Sequence, residues 1–487
     1  MEWKNCLLHH GPPKNRAAAA RFLLFAQESA FPHRMAQYSA RHATARRAWG
    51  AFCVDKIVAC GGLPLFGEVE MPTAKNSILP ILAAAVLAQG PVRIRRAPLL
   101  RDVDTSLQLL EALGCPAVRA GGDLLLVPGG AVGDSVPPQL MAAMRSSIYY
   151  LAPMLARGGR ARITFPGGCR LGARPIDIHL EGLAAMGAAI RQEGEELDCA
   201  APLGLHGAQF HLHFPSVGAT ETLMMAAAAA RGDTVLTGVA REPEVVDLAN
   251  FLNACGARIE GAGGSRLSIR GGPLHGCDYT PIPDRITAQT VLCAVAACGG
   301  AVTLRRAPFA PLQPLADLLR RAGCAVQPLP DDGVQIEAVD RLGGLGELET
   351  GVYPAFATDA GPLLAAAMLT AEGDTALRET IFTNRFACAA EFARMGANAR
   401  VSGDGGLLRI RGVSGLHGDR LEAKDLRGGA ALVIAALAAQ GESEITGVEF
   451  IRRGYEDIAG LFRGLGAQVG SGQQGAAPLR ETVRLAQ

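Results

Sequence analysis

Apolar positions along this chain fall into two alternating textures, and each texture closes on a glycine. The first is a run rich in Ala and Leu, such as residues 224–230, apolar on every side and suited to a helix buried all round. A strand with alternating apolar positions follows it: Leu87-Ala88-Gln89-Gly90 leads into Val92-Arg93-Ile94, and Ala438-Ala439-Gln440-Gly441 leads to Ile445. The second texture is an amphipathic helix closed by a Gly-Ala or Gly-Cys pair before another strand. The first marker falls at Gly90, Gly159, Gly232, Gly300, Gly373 and Gly441, 68 to 73 residues apart. The second falls at Gly114, Gly187, Gly256, Gly323, Gly396 and Gly466, 23 to 28 residues after the first. Each glycine suits the position just past a helix, where left-handed backbone is needed and a Cβ is costly. Two series in phase predict six copies of one α/β unit. Six units leave three architectures open: one closed ring, a solenoid, or two sets of three.

Length and charge narrow the function classes. A chain of 487 residues predicts two or three domains. A formal net charge of +1 gives no overall field for nucleic acid or a membrane surface, so any anion site is local. The 12 cysteines show no CxxC spacing, and Cys293 and Cys298 lie in apolar helical patterns, which predicts free thiols in a reducing, cytoplasmic setting. No metal cluster, P-loop or dinucleotide fingerprint is evident, and no apolar run is long enough to span a membrane. Residues 1–53 are basic and poor in acid, with no signal-peptide pattern. They read as a disordered tail or a mis-assigned start, with an organelle transit peptide as the alternative, and residues 471–487 as a C-terminal tail.

Candidate chemistry gathers in Pro166-Gly167-Gly168-Cys169-Arg170-Leu171-Gly172-Ala173-Arg174-Pro175-Ile176-Asp177. Glycine and proline predict a loop, and the flanking arginines favour the Cys169 thiolate. Such a loop suits a lid over an anionic substrate; a surface turn with an incidental cysteine suits the pattern equally. Lys75-Asn76 stand at a strand-to-helix junction, where a cation and helix-start N–H groups make an anion site. Arg145 precedes an apolar helix, Asp284-Arg285 fall between the two halves of the repeat series, and Asp359 follows Pro354-Ala355-Phe356-Ala357-Thr358. Further stretches are Ser216-Val217-Gly218, Ile381-Phe382-Thr383-Asn384-Arg385-Phe386, Asp425-Leu426-Arg427 and Arg452-Arg453-Gly454-Tyr455.

Together and in this order, these stretches resemble the UDP-N-acetylglucosamine 1-carboxyvinyltransferase family of enolpyruvyl transferases, over about residues 56–470. The resemblance selects three units plus three. It implies a two-domain inside-out α/β barrel of six βαβαββ-type repeats, helices inside and sheets outside. Residues 54–73 plus 285–470 would form one domain and residues 74–284 the other, with crossovers near Thr73 and Asp284-Arg285. It implies transfer of the enolpyruvyl group of phosphoenolpyruvate to the 3′-hydroxyl of UDP-N-acetylglucosamine with release of phosphate, the first committed step of peptidoglycan precursor synthesis, with no cofactor or metal. By the same resemblance Cys169 is the general acid and Asp359 accepts the sugar hydroxyl proton. Lys75, Arg145, Arg174, Arg427 and Arg453 bind the phosphate or carboxylate of the reacting group, and Asn76 contacts the sugar. Pro175, Ile176, Asp177 and Ile178 line a uracil pocket. Ser216, Val217 and Gly218 clamp the diphosphate through backbone, and Ile381 belongs to the substrate site. Phe214, Thr383, Phe450 and Arg452 depart from the usual lysine, glutamate, histidine and aspartate. They leave two alternatives: a paralogue with another nucleotide acceptor, or a weakly active UDP-sugar-binding regulator. Ala74-Lys75-Asn76 with Cys169 points away from the shikimate-pathway relatives.

Overall fold

The protein's structure, a computed structural model, describes residues 56–167, 175–338 and 340–472. Residues 1–53, Cys169 and Arg174 lie outside that range, as do the residues after Gly472. The last strand, Gln468–Gly472, runs two residues past the expected boundary at 470.

Alternation and β-branched residues build six sheets among the described residues, five of four strands and one of three. In most units the strand entered from the first glycine takes an antiparallel partner on one side and a parallel one on the other. Val92–Ile94, for instance, pairs antiparallel with Asp123–Leu126 and parallel with Asp278–Tyr279. That last strand ends the third unit yet completes the first unit's sheet, so units one to three close on themselves. The second set closes with the start of the chain. Leu65–Glu70 lies parallel to Gly300–Arg305 of the fourth unit. Lys56–Cys60 inserts between Glu442–Thr446 and Gln468–Gly472 of the sixth. These pairings exclude both a single ring and a solenoid.

The Ala/Leu runs form the inner helices. Arg285–Cys298, Gly361–Met368 and Leu426–Ala438 pack on one another, and every residue from Leu426 to Leu437 is buried. A helix that is apolar all round has no face to offer water, and alanine lets its neighbours approach closely. In the other set Lys75–Ala85 and Val217–Ala229 pack with the turn Arg145–Tyr150. Each fully buried leucine here contributes about 1.5–3 kcal/mol over its exposed state.

The glycine markers divide more finely than expected. Gly187 directly follows the cap of Asp177–Ala185 at φ 94°, a true helix-end position. The first series mostly stands at strand entry instead. Gly300 opens its strand at φ 107°, and a Cβ there would meet the Leu65 carbonyl oxygen at 2.0 Å. Strand pairing, more than helix termination, demands that glycine. Gly90 is absent from the positive-φ positions. Cys293 is fully buried as expected, whereas Cys298 is only half-buried.

Where the two sets join, the chain crosses twice and the crossings lie side by side. Thr73 bridges Pro283, Ala74 N–H donates to the Ile282 carbonyl at 2.9 Å, and Asp284 N–H donates to the Pro72 carbonyl at 2.7 Å.

Candidate active site

Asp284 organises the crossings. Its carboxylate accepts from Ile286 N at 2.7 Å and Thr287 N at 3.0 Å, capping the helix that begins at Arg285, and from Lys75 N at 3.3 Å. Lys75 thus opens its own helix beside the head of another. Its Nζ lies 2.8 Å from Asp102 Oδ2. Asp102, in the first turn of Arg101–Ala112, also accepts from Arg453 Nε at 2.9 Å and Nη2 at 3.2 Å. Arg101 N–H donates to the Arg452 carbonyl at 3.1 Å, so backbone fixes the same junction. Burial pulls Lys75 below its ordinary value, Asp102 opposes that, and repulsion from Arg453 and Arg427 adds to the fall. Burial would raise Asp102, but Lys75 and Arg453 outweigh it and hold the carboxyl below its usual value. Lys75 therefore has a carboxylate partner before any ligand arrives. It is half of a buried ion pair.

A second carboxylate sits between cations nearby. Asp359 lies in the turn Thr358–Ala360 and is contacted by Arg385 Nη2 and by Arg427, Nε at 3.4 Å and Nη2 at 3.5 Å. Arg427 stands in the first turn of Leu426–Ala438, capped by Asp425, which accepts from Arg427 N at 3.0 Å and Gly428 N at 2.9 Å. A Cβ on Gly429 would meet Ile451 Cγ1 at 2.6 Å, so glycine is what seats this turn against Val448–Ile451. Arg385, almost fully buried, also donates from Nε to the Thr358 carbonyl and Oγ1, each at 3.0 Å. Burial would raise Asp359; Arg427, Arg385 and Arg285 outweigh it and hold the carboxyl far below the usual carboxylate range. Arg285, its side chain 10% exposed, pairs with the buried Glu244 at 2.9 Å.

Arg145 bridges the residues on either side of 168–174, the segment that contains Cys169. Its Nη1 donates to the Pro166 carbonyl at 3.2 Å and its Nη2 to the Pro175 carbonyl at 3.4 Å, one on each side of the segment. Pro175 and Asp177 are exposed, but Ile176 and Ile178 are buried in the core. Alternate residues at this helix entry face opposite ways, and the apolar side chains turn inward. Ile178 N–H is moreover taken by Asp177 Oδ1 at 2.9 Å. Ser216 caps Val217–Ala229, its hydroxyl accepting from Ala219 N at 3.3 Å, so Val217 and Gly218 stand at a helix head with no preceding turn to bind their N–H groups. Asn76 and Ile381 are half-buried; Ile381 N–H donates to Glu379 Oε1 at 2.8 Å. Phe214, Thr383 and Arg452 are exposed, and Phe450 is half-buried.

The structure thus gathers Lys75, Asp359, Arg427 and Arg453, and adds residues that the sequence reading missed. Asp102 carries no signal, since an acid in a first helical turn is ordinary. Arg385 did carry one, an arginine within an apolar signature. His179 is another: buried beside Gly218, with Nδ1 3.0 Å from Thr222 Oγ1. Among the described residues no group of three His, Cys, Asp or Glu side chains could hold a metal ion, and no helix is long and apolar enough to cross a membrane.

Residues 60–461 match the family described as EPSP synthase (3-phosphoshikimate 1-carboxyvinyltransferase). The chain is 43% identical over 410 residues to UDP-N-acetylglucosamine 1-carboxyvinyltransferase 2 of Caldanaerobacter subterraneus subsp. tengcongensis, covering 84% of this chain and 97% of the relative. It is 42% identical over 417 residues to the UDP-N-acetylglucosamine 1-carboxyvinyltransferase of Acidiphilium cryptum, covering 85% and 99%. Among solved structures, the enolpyruvyl transferase NikO of Streptomyces tendae superposes with a TM-score of 0.76 at 27% identity, over 85% of this chain and 98% of that one. EPSP synthase of Acinetobacter baumannii shares the fold, with a TM-score of 0.66 at 19% identity over 86% and 100%. With its two closed sets of three units and these relatives, the chain belongs to the enolpyruvyl transferases and, within them, to the UDP-N-acetylglucosamine 1-carboxyvinyltransferase family.

Proposed function

We propose that the protein transfers the enolpyruvyl group of phosphoenolpyruvate to the 3′-hydroxyl of UDP-N-acetylglucosamine and releases phosphate, an early step in peptidoglycan precursor synthesis. The observation that carries the reading is the pair of carboxylates, each held between cations, at the junction of the two sets of units. A reacting group with one carboxylate and one phosphate needs that many cations once water is excluded. Its anionic oxygens would be met by Lys75, Arg453, Arg427 and Arg385, the cations that Asp102 and Asp359 hold ready.

The chemistry is addition followed by elimination. A proton reaches the vinyl CH₂ from Cys169, the sugar oxygen bonds to the resulting cationic carbon, and Asp359 takes the hydroxyl proton. The Cys169 thiolate then takes back a methyl proton, the carbon–oxygen bond to phosphate breaks, and the enol double bond returns. Asp359 is a weak base while two arginines hold it ionised. An anion bound to Arg427 and Arg385 offsets their field, raises the proton affinity of Asp359 and readies it when substrate is in place. Arg145 holds both ends of the Cys169 loop, while Arg174 in that loop adds a further phosphate contact. Ser216, Val217 and Gly218 hold the diphosphate, Pro175, Ile176, Asp177 and Ile178 line the uracil pocket, and Asn76 and Ile381 meet the sugar. Residues 74–284 form one domain, and residues 54–73 with 285–470 the other. The substrates are small molecules. A cytoplasmic location goes with this reading, since a chain with 12 cysteines suits a reducing compartment.

The 43% relative gives no favour to another acceptor. The test is phosphate release from phosphoenolpyruvate with UDP-N-acetylglucosamine, other UDP-sugars and shikimate 3-phosphate. Release is expected with UDP-N-acetylglucosamine above all others. A faster rate with another acceptor would overturn the assignment, and no release with any would favour a regulator.

A further inference from the structure

We propose that Cys255 and Cys277 form a redox site, a dithiol that low-molecular-weight disulfides convert to an intramolecular disulfide. Cys255 caps the helix Pro243–Ala254 and Cys277 immediately precedes the strand Asp278–Tyr279. Their Sγ atoms lie 3.2 Å apart, against a bond length of about 2.05 Å once joined. The backbone holds them there: His275 N–H donates to the Cys255 carbonyl at 2.8 Å, and Arg93 N–H donates to the Cys277 carbonyl at 2.8 Å. Sulfur proximity is thus built into the fold while both cysteines are reduced.

The two thiols are not equivalent. Cys255 is 1% exposed, whereas Cys277 is half-buried and reaches solvent. The hydrogen bond from Cys255 lowers the Cys277 thiol, against burial and the Asp278 charge. Elsewhere burial pushes Cys115 up to about 12 and Cys199 and Cys324 up to about 11, which leaves those thiols inert. Cys277 is therefore the attacking sulfur and Cys255 the resolving one. The Cys277 thiolate attacks one sulfur of glutathione disulfide, the S–S bond breaks, and one glutathione thiolate leaves. The hydrogen bond to Cys277, which with burial raises the Cys255 thiol, is lost once Cys277 is in the mixed disulfide; Cys255 then attacks Cys277 and passes its proton to the second glutathione sulfur as that leaves. Net, one protein dithiol is oxidised and one glutathione disulfide is reduced to two thiols.

The bond would close residues 256–276 into a covalent loop and tie the helix to the strand feeding the crossover. Asp247 on that helix already accepts from Ser77 Oγ, Tyr279 OH and Ile282 N. A cross-link there stiffens the segment that leads to Asp284 and removes loop entropy from the unfolded chain.

The experiment treats the full-length protein with glutathione disulfide, blocks free thiols by alkylation, and maps peptides by mass without reduction. The expected product is a Cys255–Cys277 peptide pair lacking two hydrogens, reversed by dithiothreitol. The melting temperature should rise by several degrees over the reduced protein, with no such rise in Cys277→Ala. Cys255→Ala should retain glutathione on Cys277, and Cys277→Ala should carry none on Cys255. An unmodified Cys277, or Cys277 joined to a different cysteine, overturns the proposal, and the wild-type map alone decides this if a variant does not fold.

Discussion

Asp102 and Asp359 are two versions of one device, a carboxylate between cations, and their surroundings differ where it matters. The Asp102 side chain is 3% exposed and its partners come from both ends of the chain, Lys75 and Arg453. The Asp359 side chain keeps 24% of its exposure, and its close partners Arg385 and Arg427 come from the second set of units alone. A sealed carboxylate joining distant segments is placed to hold cations ready and to hold the two sets together. A carboxylate with an open edge is placed to meet a hydroxyl. The same residue type, with nearly the same charge balance, therefore supports two roles, and access to substrate decides which.

The sharpest way to break that comparison is Asp359→Asn. It keeps the shape, removes the base and leaves Arg385 and Arg427 for the anion. Turnover should fall by about 10²–10⁴, the usual worth of a positioned general base, while calorimetric binding of phosphoenolpyruvate with the UDP-sugar persists. Turnover within tenfold of wild type would assign proton removal to another group.

Lys75→Ala comes next. Losing one preorganised cation should lower phosphate release by roughly 10²–10³. Stability should fall as well, because Asp102 loses a buried partner and keeps only Arg453. Lys75→Arg should rescue poorly, since a planar fork does not fit where a compact ammonium sits 2.8 Å from Asp102. Full activity in the arginine variant would reduce Lys75 to a general positive charge.

Asp102→Asn tests the other half of the comparison. It leaves the buried Lys75 and the half-buried Arg453 without their counter-charge, at a cost of about 3 kcal/mol, read as a lower melting temperature. Added inorganic phosphate should raise the melting temperature of this variant more than that of wild type, because an external anion then does what Asp102 did. Equal phosphate effects would mean that the carboxylate and the substrate anion do not share these cations.

How much of this was readable beforehand follows from the kind of information each feature needs. The paired glycines reported local backbone demands, and the repeat count follows from them directly. Lys75, Asp359, Arg427 and Arg453 stood in stretches distinctive enough to place individually. Closure into two sets did not, because Lys56–Cys60 and Leu65–Glu70 find their sheets in partners more than two hundred residues away. Asp102 was invisible for a related reason: its role depends on Arg453, and locally it is one more acid at a helix start. The inward turn of Ile176 and Ile178 depends on where a core lies, which the run Pro175-Ile176-Asp177-Ile178 does not state.

The smallest expected effect sets a buried group with no opposite charge in hydrogen-bond reach among the described residues against the two clamped carboxylates. His179 is buried, hydrogen-bonded to Thr222, and pulled down to about 3 by burial first and then by Arg145, with Asp177 opposing weakly. Above the unfolded value of 6.5 both folded and unfolded chains hold it neutral, so it adds nothing to the pH dependence. Below 6.5 the unfolded chain takes up a proton that the folded chain refuses, and stability falls steadily until about pH 3. Between pH 6.5 and 5 the loss should be about 2 kcal/mol. The clamped carboxylates behave differently: Asp102 and Asp359 stay ionised in both states over that interval, and their contribution is lost only as pH falls below the ordinary carboxyl value of 3.8. Denaturant melts of wild type and His179→Gln at pH 7 and pH 5 separate the two windows. The variant should be less stable at pH 7, having lost a fitted side chain, yet show a smaller drop on going to pH 5. Equal drops would mean that the imidazole is already open to protons in the folded state and that another group governs mild-acid stability.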